Sequence, residues 1–303
     1  MGKSKKYLGR GIHDEKFFKS LNEGNLKKML DAISYDDTLD VQIRENYLNI
    51  YYNGGNIVKV NSENSLDFDM FYFYLGTEPK KKVKSDEKEL AELKTKRDDL
   101  IAKFKNNDYA GYFDEAKRVM DKWYDNHPKP ERMEQHILSL GNRYGESDYT
   151  IIDLEYQVST LSEFCCIYTP KDKEKPKKPK FDIIAVNKDG KLCVIELKKG
   201  IGALEGTSGL KEHWDCYRES IGRKPAPFVT EMVKILAQKQ EFGLIDKNLK
   251  ITESIPEFMF AYSYDDKNSR KDQDDKFHIE YKKVKEPIRI IKLEQGTRKL
   301  MNE

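Results

Sequence analysis

The chain has 303 residues and a formal net charge of +2, with 36% of its residues charged and 38% apolar. That length admits one large domain or two smaller ones, and 18 tyrosines with 14 phenylalanines exclude a disordered chain. No apolar run reaches bilayer-spanning length and no secretory leader is visible, while Cys165, Cys166, Cys193 and Cys216 lack metal-site spacing, so the expectation is free thiols in a reducing cytoplasm.

Residues 1–84 predict a small α+β module. Phe17, Leu21, Leu26, Leu30 and Ile33 recur near helical spacing, which predicts one helix over Phe17–Ile33. Leu39–Ile43 alternates as a strand that resumes through Leu48, Ile50 and Tyr52 after a slip at Arg44–Tyr47, the mark of a bulge. Asn53-Gly54-Gly55 is a tight-turn signal, Ile57–Val60 runs back, and Phe68–Tyr74 supplies a third strand. Tyr47, Tyr51 and Tyr72 suit base stacking, but such aromatics are more often half-buried packing or an interface; the module carries no catalytic constellation. Residues 85–127 predict a helical connector with a stripe of Leu90, Leu93, Leu100, Ile101 and Phe104 and a break at Asn106-Asn107-Asp108. The stripe is too short for a coiled coil, but this connector or the N-terminal module is where a second copy or a partner protein would dock.

Residues 128–303 read as the main domain. Pro130 starts a helix that runs from Glu131 to Leu140 and stops at Gly141. Ile137 and Leu138 follow Glu134 at the third and fourth positions, so Glu134 borders the apolar stripe and can lean over a sheet. Glu131, one turn earlier, is its rival, and both also read as ordinary first-turn acids favoured by the helix dipole. Tyr149–Val158 predicts a strand with Asp153 and Glu155 on one face, either supporting a metal site or serving as sheet-surface acids.

Next comes the richest stretch. Lys180–Val186 and Val194–Lys198 read as buried strands joined by Asn187-Lys188-Asp189-Gly190, a hairpin signal. Alternation puts Glu196 and Lys198 on one face and Cys193, Ile195 and Leu197 on the other. The hairpin then brings Asp182 near both. Two carboxylates suffice to hold Mg²⁺ with sites left for water and phosphate, and a lysine beside them can orient or deprotonate a water or neutralise developing charge. The competing reading is a hairpin end whose charges are merely solvated.

Asp182…Glu196-Leu197-Lys198 resembles the signature of the PD-(D/E)XK phosphodiesterase superfamily, with Phe181 where a proline usually precedes the aspartate. The resemblance spans about residues 128–265 and implies a restriction-endonuclease-like mixed sheet flanked by helices, in an α+β or α/β arrangement. It implies a Mg²⁺- or Mn²⁺-dependent nuclease with Asp182, Glu196 and Glu134 as metal ligands, Lys198 placing the water, and a nucleic-acid substrate, DNA ahead of RNA. In Leu210–Arg218, His213 and Tyr217 share a helical face and resemble the Gln-x-x-x-Tyr helix of exonuclease-like branches, with His for Gln. His213 would then contact the phosphate or the attacking water and Tyr217 the DNA backbone; a lone histidine there is also commonly structural. Gly202, Gly206 and Gly209 allow close phosphate approach without a nucleotide-loop pattern.

The near-balanced charge gives no whole-chain attraction to nucleic acid, but Lys80–Lys84 and Lys171–Lys180 are local basic clusters, flanking a phosphate backbone or simply solvated. Downstream, Phe228–Phe242 predicts a helix, Glu257–Tyr262 a buried strand, Asp265–Asp275 a polar loop, and Phe277–Tyr281 with Ile288–Leu293 closing strands. The alternative function is a non-catalytic binding or assembly protein that retains the nuclease fold. Cut polarity, sequence preference and pathway have no signature in the sequence.

Overall fold

The computed structural model describes residues 8–61, 66–67, 87–125, 129–144, 147–158, 179–293 and 299–301. They fall into two units: Arg10–Leu140 with Gln238–Leu244, and the described parts of Met1–Gly9, Gly141–Ala237 and Ile245–Glu303. The connector therefore groups with the N-terminal module, and so does most of the helix that carries Glu131 and Glu134. The expected strand Phe68–Tyr74, Tyr72, Lys80–Lys84, Lys171–Lys178, Cys165 and Cys166 lie outside the described residues, as do the side chains of Leu90 and Leu93.

In the N-terminal unit the expected single helix is two, α1 (Glu15–Asn22) and α2 (Asn25–Ser34). Gly24 breaks it: a Cβ there would sit 2.9 Å from the Ser20 Cα, and glycine in a helix interior costs about 1 kcal/mol relative to alanine. The sheet is β1 (Leu39–Ile43), β2 (Tyr47–Tyr52), β3 (Gly55–Asn61) and the two-residue β4 (Leu66–Asp67), antiparallel throughout. The slip at Arg44–Tyr47 is a chain reversal rather than a bulge: Asn46 has φ +55° and the Arg44 N–H donates to the Tyr47 carbonyl at 2.9 Å. Asn53 (φ +48°) and Gly54 (φ +77°) make the next turn with both central residues left-handed, as a tight hairpin requires. Tyr47 and Tyr51 are half-buried, with the Lys59 ammonium 4.5 Å from the Tyr47 ring centre and the Asn49 amide donating to the Tyr51 hydroxyl at 3.0 Å.

The connector is α3 (Glu87–Lys105) and α4 (Tyr109–Tyr124), broken where the sequence predicts, with Asn107 at φ +60° and the Asp108 carboxylate accepting from the Gly111 N–H. Helix α5 (Pro130–Gly141) buries Gln135, His136, Leu138 and Ser139. Two buried polar side chains meet partners within the unit: the Ser139 hydroxyl donates to Asp40 at 2.8 Å and His136 Nε2 meets the Thr38 carbonyl at 2.9 Å.

The second unit is built on one mixed sheet in the order β5 (Tyr149–Gln157), β6 (Lys180–Asn187), β7 (Leu192–Lys199), β8 (Glu257–Ser263) and β9 (Arg289–Leu293). The first three strands are antiparallel neighbours, whereas β8 runs parallel to β7, and β9 to β8. Parallel neighbours need crossovers. Helices α6 (Leu210–Tyr217) and α7 (Pro225–Glu241) lie in the first, and α8 (Arg270–Lys282) forms the second. Strand β7 is buried on both faces except at Lys199, which explains its nearly unbroken apolar run. The core gathers Ile183, Ile184, Val194, Ile195, Met259 and Phe260, all inaccessible. Each such side chain contributes about 1.5–3 kcal/mol by burial.

Helix α8 replaces an expected polar loop and closing strand. Its buried positions are Gln273, Phe277 and Glu280, so two of three are polar and the apolar period is too weak to read. The start has a local signal, because the Ser269 hydroxyl accepts from the Asp272 N–H as an N-cap. No helix among the described residues is long and apolar enough to cross a membrane.

Candidate active site

Asp182 and Glu196 meet because of strand register. Ile183 pairs with Ile195, and extending that antiparallel register by one residue sets Asp182 opposite Glu196, on the same face. The turn that fixes the register has Gly190 at φ +84°, its N–H donating to the Asn187 carbonyl at 3.0 Å. The Leu197 N–H donates to Asp182 Oδ2 at 3.0 Å, which holds the Asp182 carboxyl against the second strand.

Glu196 and Lys198 are each only 2% exposed. The Lys198 ammonium donates to Glu196 Oε1 at 3.0 Å and to the Ser208 carbonyl at 2.7 Å. His213 Nδ1 lies 2.5 Å from the same Glu196 oxygen, so Oε1 takes two donors. Glu196 Oε2 is buried and receives no hydrogen bond. A buried carboxylate oxygen left bare is costly; the adjoining Asp182 carboxyl satisfies it when protonated, and a bound cation would satisfy it otherwise.

The electrostatics split the two acids. Burial and then the neighbouring Glu196 charge push the Asp182 carboxyl well above its ordinary range, against the opposing pull of Lys198 and the Leu197 N–H. Burial acts to raise Glu196 as well, but Lys198 and His213 outweigh it and hold that carboxyl at about 2. Without a cation, the surroundings therefore favour ionisation of Glu196 over that of Asp182. A divalent cation bound between them would let both carboxyls ionise. Among the described residues no group of three or more His, Cys, Asp or Glu forms a metal cage. Mg²⁺ does not need one, since it is typically held by one or two carboxylates plus water and phosphate. The donor set at Asp182 and Glu196 thus fits such an ion.

The supporting loop is tightly built. The Gly200 N–H donates to the Ser263 carbonyl at 2.9 Å, and at φ +66° a Cβ on Gly200 would lie 2.0 Å from the Asp265 Oδ2. Only glycine fits there. Gly202 and Gly206 face open space. The Ser208 carbonyl that receives Lys198 has no sequence signature, because any residue offers that atom.

The other sequence candidates are placed differently. Tyr217 is a core residue rather than a surface contact. Its hydroxyl donates to the Pro256 carbonyl at 2.6 Å, its ring packs on Trp214 and Phe258, and burial raises its pKa to about 12. The aromatic set Phe181, Trp214 and Phe258 captures the ring, so the expected contact with a DNA backbone is not available to it. His213 faces Glu196, a contact made to a ligand of the expected ion. Glu155 sits at φ +50°, where the β5–β6 ladder skips the Glu155–Asp182 pair, and its carboxylate accepts from Lys180 at 2.6 Å. Asp153 is buried, its Oδ1 accepting from the Leu154 N–H at 2.9 Å.

Glu134 is half-buried and Glu131 exposed, both on α5 in the N-terminal unit. Ile137, expected in the buried stripe beside Glu134, is 38% exposed, because α5 turns the polar residues Gln135 and Ser139 inward instead. Cys193 is buried with its thiol pushed up to about 12, by burial first and then by Glu257, which makes it unreactive.

No family model matches the chain, and no curated protein or solved structure matches it either.

Proposed function

We propose that this chain is a divalent-metal-dependent nuclease hydrolysing phosphodiester bonds, DNA ahead of RNA. The observation that carries the reading is the abutting pair Asp182 and Glu196, the first carboxyl's pKa raised and the second's lowered, with the Lys198 ammonium on Glu196 Oε1. The hairpin β6–β7, the crossover to a parallel β8, and the placement of Asp182 near the start of β6 opposite Glu196 in the second half of β7 support the restriction-endonuclease-like reading that the Asp182…Glu196-Leu197-Lys198 resemblance implies.

Asp182 and Glu196 would hold Mg²⁺ or Mn²⁺. The bound ion supplies Lewis acidity toward a phosphate oxygen and makes water nucleophilic at neutral pH. Lys198 is fixed at two points and so presents its charge at one place, where it orients the attacking water and offsets negative charge growing on the phosphate. The near-complete exclusion of solvent from Glu196 and Lys198 strengthens both effects. Purified protein should cut DNA in Mg²⁺ or Mn²⁺ and lose cleavage in EDTA and in Glu196→Gln. Failure to cut any single- or double-stranded DNA or RNA with either ion would reject this reading.

The second reading is a non-catalytic binding or assembly protein of the same fold. It is favoured by the closed contacts of Lys198, whose ammonium is already engaged by both Glu196 and Ser208. Calorimetric titration with Mn²⁺ separates the two, since an inert scaffold has no use for the ion at Asp182 and Glu196.

A further inference from the structure

We propose that His213 is a positioning residue that fixes which oxygen of Glu196 faces the cation. The inference rests on the cation reading above and assigns His213 a task on the carboxylate rather than on the phosphate. Helix α6 is pinned at its far end. Tyr217 is anchored by its hydroxyl to the Pro256 carbonyl at 2.6 Å and by its ring against Phe258, 4.9 Å between centres, with Trp214 stacked on it at 5.7 Å. At its near end the Ser208 carbonyl, just before the helix, holds Lys198 at 2.7 Å. One anchor acts through β8 and the residue before it, the other through β7, so the rotation of α6 about its axis is set. His213, one helical turn before Tyr217, is thereby delivered to Glu196 Oε1 at 2.5 Å.

The consequence is a division of labour within one carboxylate. Lys198 alone could be met by either oxygen of Glu196, because a carboxylate is two-fold symmetric and one donor does not choose between its ends. Two donors converging on Oε1 from different directions, one from β7 and one from α6, fix the torsion of the group. Oε2 is then the oxygen that takes no donor from either Lys198 or His213. Partners that orient a metal-binding carboxylate or histidine typically contribute about 10–100-fold to metal affinity.

The test uses Mn²⁺ alone, with no nucleic acid, titrated into full-length protein by calorimetry at fixed pH. His213→Leu should weaken Mn²⁺ binding about 10–100-fold. His213→Asn, whose amide N–H sits near the place of Nδ1, should restore affinity to within about threefold of wild type while His213→Leu does not. Circular dichroism and melting of each variant check the fold, and the asparagine variant carries the test where leucine fails to fold. Wild-type affinity in His213→Leu, or an asparagine variant no better than leucine, overturns the positioning role and leaves the nuclease reading standing. A wild-type protein that binds no Mn²⁺ overturns both.

Discussion

Replacing Lys198 with methionine keeps the length of the side chain and removes its charge. In the folded protein Lys198 and Glu196 are each 3% exposed at the side chain, and the ammonium lies 3.0 Å from Oε1 and 2.7 Å from the Ser208 carbonyl. Removing one member of a buried ion pair costs about 3–5 kcal/mol, because the remaining charge stays desolvated. His213 stays on Oε1 and places the expected loss toward the lower end. For a protein of this size about 1 kcal/mol corresponds to roughly 2–4 °C in melting temperature, so Lys198→Met should melt about 6–12 °C lower. The cleanest assay is urea unfolding in a Trp123→Phe background, where Trp214, stacked on Tyr217 in the same unit as the site, is the sole indole. The double variant Glu196→Gln/Lys198→Met removes both charges and should recover most of the loss, giving a coupling of at least about 2 kcal/mol. The pH dependence carries a sign. Glu196 is held at about 2, below its ordinary 4.5, so its contribution is full above 4.5 and is lost as pH falls toward 2. The gap between wild type and Lys198→Met should therefore narrow over that window. A loss below about 1 kcal/mol, or a double variant as unstable as the sum of its parts, would refute the buried pair as described.

Asp182→Asn tests the other acid. Its folded pKa is raised, so the wild-type contribution is full below the ordinary 3.8 and is lost as pH rises through the folded value. Asparagine never ionises, and in EDTA the variant should therefore gain stability over wild type as pH rises from 4 to 8.5, while Mn²⁺ raises the melting temperature of wild type only. A variant that falls behind wild type with rising pH in EDTA contradicts this. Gly200→Ala adds a Cβ at φ +66°, 2.0 Å from the Asp265 carboxylate. The left-handed backbone alone costs about 1–2 kcal/mol for a non-glycine residue, and Asp265→Ala in the same chain should recover only the steric remainder. Equal melting of Gly200→Ala and wild type would show that the close approach is absent.

The hairpin is legible because its determinants are local. Asn187 to Gly190 sets the turn, alternation sets the faces, and register then brings Asp182 to Glu196 with no help from distant sequence. The connector break is readable for the same reason, since Asn107 and Asp108 carry their own backbone preferences. What escapes depends on partners far along the chain. Tyr217 looks available for a ligand because nothing near it in sequence announces the Pro256 carbonyl or the Phe258 ring. Helix α8 escapes because Gln273 is buried by serving the Tyr262 hydroxyl and the Asp265 backbone, a polar role that periodicity counts as surface. The Arg44–Tyr47 slip reads as a bulge because a bulge and a short reversal both shift alternation by one, and only Asn46, tolerant of positive φ, separates them.

Charge bookkeeping ties the resting site to its proposed substrate class. In the cation-free protein the surroundings disfavour ionisation of Asp182 while Glu196 is held ionised against Lys198, so these two acids and the lysine tend toward neutrality. Neutrality is what a water-excluding site demands of itself at rest. Exchange of the Asp182 proton for a divalent cation leaves two carboxylates against an ammonium and a double positive charge, an excess of one. A phosphodiester brings one negative charge and restores neutrality, whereas the dianion of a phosphomonoester overshoots it. On the proposed reading the same three groups that balance the empty site thus favour an internal phosphodiester over a terminal phosphate. Lys198 sets that balance, because without its charge the cation-loaded site is already neutral and has no electrostatic preference for an anionic substrate at all.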